Sequence, residues 1–253
     1  MIVRFLLAAL GAGLLAGLFI TPVQYARVIP LIIHAETFEG EGGHDHGEAA
    51  APHSHDAAAA PHDHGATVAA ADVEPAEEEA PPLTDSRWFN TVLANLVTGA
   101  GFALILAAAS LMLDLPITAR NGALWGLAGF AVLSLAPALS LAPELPAMPA
   151  GDLFGRQIWW LATVVLAAGG IYALALRGEL WAKAIGIVAL VAPHLVGAPQ
   201  PADLASPVPP TLAAEFAVAS LATAAAFWLI LAVLAGYAFD HLRQGRPARH
   251  ALA

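Results

Sequence analysis

Residues 91–113 read TVLANLVTGAGFALILAAASLML, an apolar run that contains no charged side chain. A helix of about 20 largely apolar residues is long enough to cross the hydrocarbon core of a bilayer. Five further runs have the same character, and we predict that all six form transmembrane helices. Their approximate bounds are 2–20, 91–113, 122–141, 158–176, 184–198 and 216–239.

The composition of the whole chain agrees with a location in the bilayer. Of its 253 residues, 58% are hydrophobic and only 12% are charged, too few to cover the surface of a soluble domain. The net charge of -10 argues against nucleic acid as a partner, because phosphate binding requires a surplus of Lys and Arg. The chain has no cysteine, which excludes disulfides and thiolate metal sites. No P-loop, His-Glu-x-x-His motif or nucleophile with a base is visible, so we predict that the protein is not an enzyme.

The charges between the runs predict the orientation of the chain. The fifth run, 184–198, is short and contains Pro193 and His194, so by length alone it also fits a re-entrant segment. A full crossing fits the charges better, since Lys and Arg beside spans stay cytoplasmic. With six crossings and a cytoplasmic N-terminus, the basic residues on the cytoplasmic side are Arg4, Arg120, Arg177, Lys183, Arg243, Arg246 and Arg249. Those on the opposite side are Arg27, Arg87 and Arg156.

The first run also has features of a signal peptide, with Arg4 ahead of an apolar stretch. No small-x-small cleavage site follows Phe19, and we predict that the run is retained as a span. Apolar residues continue to Ile33, so we expect the first helix to extend beyond the bilayer, with a kink at Pro22 or Pro30.

A long loop, residues 34–87, is rich in Ala, Pro, Glu and His and is predicted to be largely disordered. Three His-x-His units recur in it every nine residues. They are formed by His44 and His46, by His53 and His55, and by His62 and His64. Imidazole is a common ligand of divalent transition metals and is mostly neutral at pH 7. The loop is therefore predicted to capture metal, whereas the alternative, a solvating linker with incidental histidines, does not explain the regular spacing.

The predicted fold is all-α: a polytopic membrane protein of about six transmembrane helices with one long, disordered, His-rich loop. Residues 1–33 form the first transmembrane helix and its outward extension, and residues 34–87 form the acidic loop. Residues 88–240 form a five-helix membrane bundle, and residues 241–253 form a basic cytoplasmic tail.

Ionisable side chains at membrane depth are few, and each is a candidate functional residue because its burial in lipid is costly. His194 lies beside Pro193, where a broken helix would combine an imidazole with an unpaired carbonyl oxygen. Three further ionisable residues are expected at the ends of spans, namely His34, Glu36 and Glu215. We predict that they form a translocation mouth. For each of these residues, an ordinary interfacial role is the alternative. Four further polar residues are expected to form helix–helix hydrogen bonds: Asn95, Thr98, Thr163 and Tyr172.

Several segments resemble the CbtA family of proposed bacterial cobalt transporter subunits. The resemblance rests on 5-FLLAALGAGLLAGLF-19, 35-AETFE-39, 125-WGLAGF-130, Ala136-Pro137, 156-RQIWW-160 and 193-PHLVGAP-199. It implies five or six spans, cobalt uptake linked to cobalamin synthesis, and a small histidine-bearing partner, CbtB. In a bacterium, the predicted orientation places the protein in the inner membrane, with both termini cytoplasmic and the histidine loop periplasmic.

Two functions remain open at this point. The first is a permease, or a permease subunit, that takes up a divalent transition metal, with Co2+ favoured by the resemblance. Nitrogen and oxygen ligands suit Ni2+ and Zn2+ at least as well, so the pattern alone does not select the ion. The second is a non-conducting accessory or sensor subunit whose membrane part anchors the metal-binding loop.

Overall fold

The computed structural model describes residues 2–39 and 86–244, and in these ranges the chain is helical without strands. The helices are α1 (Ile2–Arg27), α2 (Ile29–Glu36), α3 (Arg87–Met112), α4 (Gly122–Phe130), a π-helical segment (Ala131–Leu135), α5 (Ala136–Ala138), α6 (Leu153–Leu176), α7 (Leu180–Val196) and α8 (Pro210–Gln244). All six apolar runs are thus helical, which confirms the predicted all-α class. By length and composition, α1, α3, α6 and α8 are able to cross a membrane, while Gly122–Ala138 and Leu180–Val196 are shorter apolar helices.

The helices form two packed units. We call α1, α3, α8 and the segment from α4 to α5 the bundle, and the antiparallel pair α6 and α7 the hairpin; α6 packs mainly against α7. The main core lies in the bundle, where Trp228, Leu231 and Phe239 of α8 are almost completely buried against the alanines of α1 and α3.

Glycines let the helices approach closely at three crossings. A methyl group on Gly13 of α1 would lie 2.7 Å from the carbonyl carbon of Gly99 on α3. Gly126 of α4 lies against the backbone of Trp228 in the same manner, and in the hairpin Gly170 faces Gly186. Small residues at such crossings are typical of helices that pack in lipid, because they bring the backbones together.

Pro22 and Pro30, which follow the first run, have different effects on the helix. The α1 helix continues through Pro22 and ends at Arg27, and a new helix, α2, begins at Ile29 with Pro30 in its first turn. The interruption therefore lies at Val28, just before Pro30, because proline is well accommodated in the first turn of a helix.

The fifth run differs from the expected broken helix. The α7 helix passes through Pro193 and ends at Val196, where Gly197 adopts a φ of 82°. The backbone N–H of Gly197 and the indole Nε1–H of Trp159 both donate to the carbonyl oxygen of Pro193, at 3.0 and 3.2 Å. Pro193 thus stands in the last turn of a continuous helix that runs back along α6.

The two ends of the molecule differ in what they contain. At one end, which we call the loop end, Glu36 of α2 meets Arg87 of α3, the residues on either side of the undescribed segment 40–85. At the opposite end, the N-terminal end, the ring of Phe5 stacks on Phe239 with centroids 3.9 Å apart. Here Arg243 also donates to the carbonyl oxygen of Ile117, which ties the end of α8 to the turn before α4.

Candidate functional site

His194 lies near the loop end of the hairpin and is partly buried. Its Nδ1 is 2.8 Å from the hydroxyl oxygen of Ser140, which follows α5. The indole ring of Trp159 meets the imidazole edge-on, with centroids 6.1 Å apart. One ring nitrogen is therefore engaged within the protein, and Nε2 is the atom that remains for a ligand.

A single imidazole does not make a complete metal site. In the ranges 2–39 and 86–244, no group of three or more His, Cys, Asp or Glu side chains is arranged to hold a metal ion. A structural transition-metal site normally has about four protein ligands. His194 as a transport ligand thus remains a prediction, and its Ser140 contact links the hairpin to the bundle.

The residues predicted to form a mouth occupy separate positions around the loop end. Glu36 accepts two hydrogen bonds from the guanidinium of Arg87, each 2.9 Å long. His34 is exposed two residues earlier on α2, with its ring 5.6 Å from that of Phe38. Glu215 is exposed in the second turn of α8. The structure gives Glu36 a positive partner and does not gather the three residues into one cluster.

The three His-x-His units lie between residues 40 and 85, outside the described residues. The ligands His44, His46, His53, His55, His62 and His64 therefore stay predictions.

A partly open, mainly apolar cavity in the bundle, with polar side chains in its lining, is the feature that the sequence reasoning missed. Its volume is about 200 Å³, and it lies between α1, α3, α8 and the π-helical segment. Aromatic rings line part of it, namely Phe102, Phe227 and Trp228. Its polar lining consists of Gln24, Asn95, Thr98, Ser134, Ser220 and Thr223.

The cavity adjoins an open cleft at the loop end. Gln24 and Asn95 line both spaces, and the cleft is completed by Arg87, Asn90 and Thr91. The side-chain amide of Asn95 donates to Gln24 Oε1 at 2.8 Å and to Thr21 Oγ1 at 3.0 Å. These bonds confirm that Asn95 joins two helices, and they place an amide pair between the cleft and the cavity.

The π-helical segment supplies the far wall of the cavity. Pro137 contributes no N–H to the turn before it, which favours a local departure from α-helical bonding, and such wide turns are frequent at functional sites. Within this segment, the hydroxyl oxygen of Ser134 accepts a hydrogen bond of 3.2 Å from Trp228 Nε1. The large indole is thereby held at the end of the cavity.

A signal for this cavity was present in the sequence. Polar residues recur three positions apart on three helices: Thr21 with Gln24, Asn95 with Thr98, and Ser220 with Thr223. Residues three apart lie on one face of a helix. Each pair alone fits ordinary helix–helix bonding, and only the packing of the three helices brings the pairs together.

Comparison with known proteins gives one match. A family model described as "Probable cobalt transporter subunit (CbtA)" matches residues 2–240. No curated protein and no solved structure matches the chain. The match spans every helix of the bundle and the hairpin, and the chain belongs to the CbtA family of probable cobalt transporter subunits.

Proposed function

We propose that this chain is the conducting subunit of a system that takes up divalent transition metal, with Co2+ as its substrate. The observation that carries the proposal is the row of polar side chains that lines one part of the bundle cavity and continues into the cleft at the loop end. A charged ion crosses lipid only along a route lined by polar groups. The family description supports cobalt as the ion.

The histidine loop is proposed to capture the metal and deliver it to the cleft. Glu36 and Arg87, which lie close to the two ends of the undescribed segment 40–85, are bonded to each other, and Arg87 also lines the cleft. The loop is therefore attached at the rim of the cleft. Metal released from its imidazoles would enter the space next to Gln24 and Asn95.

The proposed orientation places the loop end in the periplasm and the N-terminal end in the cytoplasm of a bacterial inner membrane. Arg4 and Arg243 belong to the N-terminal end, as does Arg120, whose neighbour Ala119 is bonded to Asp240. This distribution supports the positive-inside prediction made from the sequence.

His194 and the exposed pair His34 and Glu215 are proposed as secondary contacts for metal near the loop end. His194 offers one ring nitrogen, Nε2, because Nδ1 contacts Ser140. The side chains of His34 and Glu215 are exposed. A single imidazole or carboxylate holds a divalent ion weakly, which suits transfer more than storage.

The accessory subunit is the second candidate, and one observation favours it. Among the described residues, no set of three ionisable ligands is assembled in the membrane part. A protein that only anchors a metal-binding loop needs no such set. The word "subunit" in the family description implies further chains, and a CbtB-like histidine-bearing membrane protein is the proposed partner.

Uptake of radioactive Co2+ into cells that produce the protein tests the proposal, with Ni2+ and Zn2+ as competitors. We expect uptake above that of control cells, reduced at low external Co2+ in a variant that lacks residues 42–66, because the capture step is lost. His194→Ala should reduce the rate less than the deletion does. Uptake equal to that of control cells, with or without the partner, would contradict the conducting role and favour the accessory role.

A further inference from the structure

The bundle cavity opens sideways, between two helices that have no extensive contact with each other in the described part of the chain. Thr98 of α3 and Ser134 of the π-helical segment both line it. The α3 helix packs on α1, and the segment from α4 to α5 packs on α8, so α1 and α8 form the back of the cavity. Thr98 is exposed, so the cavity is open beside α3. We call this opening the slot; it lies where one more helix would complete the packing of the bundle.

Polar groups in the slot lack partners among the described residues. The hydroxyl of Thr223 donates to a carbonyl oxygen one turn earlier, whereas the hydroxyls of Thr98 and Ser220 make no hydrogen bond within the described ranges. Asn95 donates both of its amide hydrogens within the bundle, and its Oδ1 accepts none there. Unpaired polar groups at membrane depth are costly, and in membrane bundles such side chains bond to neighbouring helices.

The lining of the slot fits a helix better than a lipid chain. An acyl chain fills apolar space but has no group that bonds to a hydroxyl or an amide. The cavity has a volume of about 200 Å³, and an apolar cavity of about 150 Å³ accommodates a benzene-sized ligand. One bulky side chain therefore fits beside Phe102 and Trp228, while polar or small residues on the same helix reach the polar part of the lining.

The face of α3 that borders the slot differs from the rest of that helix. For about three turns its exposed residues are polar or small, namely Asn90, Ala94, Thr98 and Gly101. A methyl group on Gly101 would meet nothing within 4 Å, so a second backbone has room to approach there. Another face of α3 exposes large apolar side chains, as at Val97, which is 65% exposed. Small and polar residues are typical of contacts between transmembrane helices, and large apolar residues are typical of contacts with lipid.

We propose that the slot is the docking site for a transmembrane helix of a partner subunit. The family description calls such a chain a subunit, which implies that another chain is present to fill the slot. In this arrangement one bulky side chain of the docked helix lies beside Phe102 and Trp228, and its polar neighbours bond to Thr98 and Ser220. The inference rests on the partner named in the proposed function and not on the conducting role, since an accessory subunit would dock in the same way.

Crosslinking from introduced cysteines tests the site, because the natural chain contains no cysteine. Thr98→Cys and Ser220→Cys each place one thiol in the slot. Val97→Cys is the matched control, since Val97 is exposed on the same helix and does not line the cavity. Each variant is co-produced with the histidine-bearing membrane subunit proposed above, labelled in membranes with a cysteine-reactive benzophenone and irradiated. Mass spectrometry then identifies the crosslinked peptide.

We expect both slot positions to crosslink to a transmembrane segment of the partner, with a yield severalfold above that of the control. Crosslinks that join two copies of this chain would overturn the proposal and assign the slot to self-association. Crosslinks to lipid alone would overturn it as well, because an acyl chain would then be the occupant. Equal yields at all three positions would show that the partner does not select this face.

Filling the slot gives a second test that does not depend on crosslinking. Gly101→Leu places a large side chain in open space beside the slot, and Gly169→Leu does the same on α6 of the hairpin. Both variants should keep the melting temperature of the isolated chain in detergent, because neither position has a neighbour within 4 Å. Copurification of the partner should fall severalfold for Gly101→Leu and stay unchanged for Gly169→Leu. Undiminished copurification with Gly101→Leu would overturn the docking site.

Uptake of radioactive Co2+ by the same cells separates this inference from the proposed function. A partner that crosslinks in the slot without any uptake would keep the docking site and reject the conducting role. Uptake by cells in which the partner does not crosslink in the slot would keep the conducting role and reject the docking site.

Discussion

The bundle buries large aromatic rings between its helices, whereas the hairpin, apart from Trp159, buries mainly small residues against one another. In the bundle, Trp228 and Phe239 are almost completely enclosed. In the hairpin, Leu195 and Val196 at the end of α7 are each 82% exposed. The bundle thus has an interior of its own, and the hairpin relies on lipid or another chain to cover most of its apolar surface.

This difference agrees with the positions of the candidate sites. The cavity needs walls on several sides, and among the described residues only the bundle provides them. The hairpin contributes His194 at its edge, where it meets Ser140. The ion pair of Arg156 and Glu144 joins the hairpin to the loop that follows α5, also near the loop end.

The largest expected effect comes from Gly13→Ala in the bundle. The new methyl group would lie 2.7 Å from the carbonyl carbon of Gly99, and neither backbone can move without disturbing α3. We expect a loss of roughly 3 kcal/mol in the free energy of unfolding, at the upper end of overpacking effects. Thermal unfolding in detergent measures it. Gly11→Ala is the control, since nothing lies within 4 Å of a methyl group there; a similar loss in both variants would refute the packing argument.

A smaller effect is expected for Gly186→Ala in the hairpin. Its methyl group would lie 2.9 Å from the Gly170 carbonyl oxygen, but α7 is covered by protein on one side only and can shift away. We expect a loss of about 1 kcal/mol, at the lower end of the same range. Gly169→Ala, which meets nothing within 4 Å, is the control. If Gly186→Ala destabilised the protein as much as Gly13→Ala, the two units would not differ in tightness.

The ion pair between Arg156 of α6 and Glu144 of the preceding loop is expected to contribute still less to the free energy of unfolding. Arg156 Nη2 lies 2.6 Å from Glu144 Oε2, and both side chains are partly exposed. A double-mutant cycle with Arg156→Met and Glu144→Gln should give a coupling energy of about 0.5 kcal/mol, because solvent and salt screen such pairs. A coupling energy of zero would mean that this ion pair does not hold the hairpin to the bundle.

The smallest effect is expected in the turn between α6 and α7. The backbone N–H of Glu179 and the guanidinium of Arg177 hold the pKa of the Glu179 carboxyl below its usual value, and both residues are exposed. A carboxyl whose folded pKa is lowered stabilises the protein above its unfolded pKa, and this contribution disappears as the pH falls through the folded pKa. Glu179→Gln should therefore lower the melting temperature slightly at neutral pH and leave it unchanged in strong acid. A difference that grew in acid would contradict this sign.

Much of the fold was predictable because hydrophobic length is a strong signal in membranes. The six apolar runs were found, and the ends were off by several residues where polar side chains continue a helix, as at Arg87 and Gln244. The course of α7 through Pro193 was not predicted, because the bonds that hold its last turn come from Trp159 on another helix. The cavity was missed for the same kind of reason: Asn95 and Ser220 are far apart in sequence, and no spacing rule joins two runs.

Two serines, one in the π-helical segment and one just after α5, have partners that belong to different units. Ser134 is bonded to the indole of Trp228 in the bundle, and Ser140 is bonded to His194 in the hairpin. The tryptophan beside the cavity and the histidine of the hairpin are thus both held by one short stretch of chain, residues 134–140.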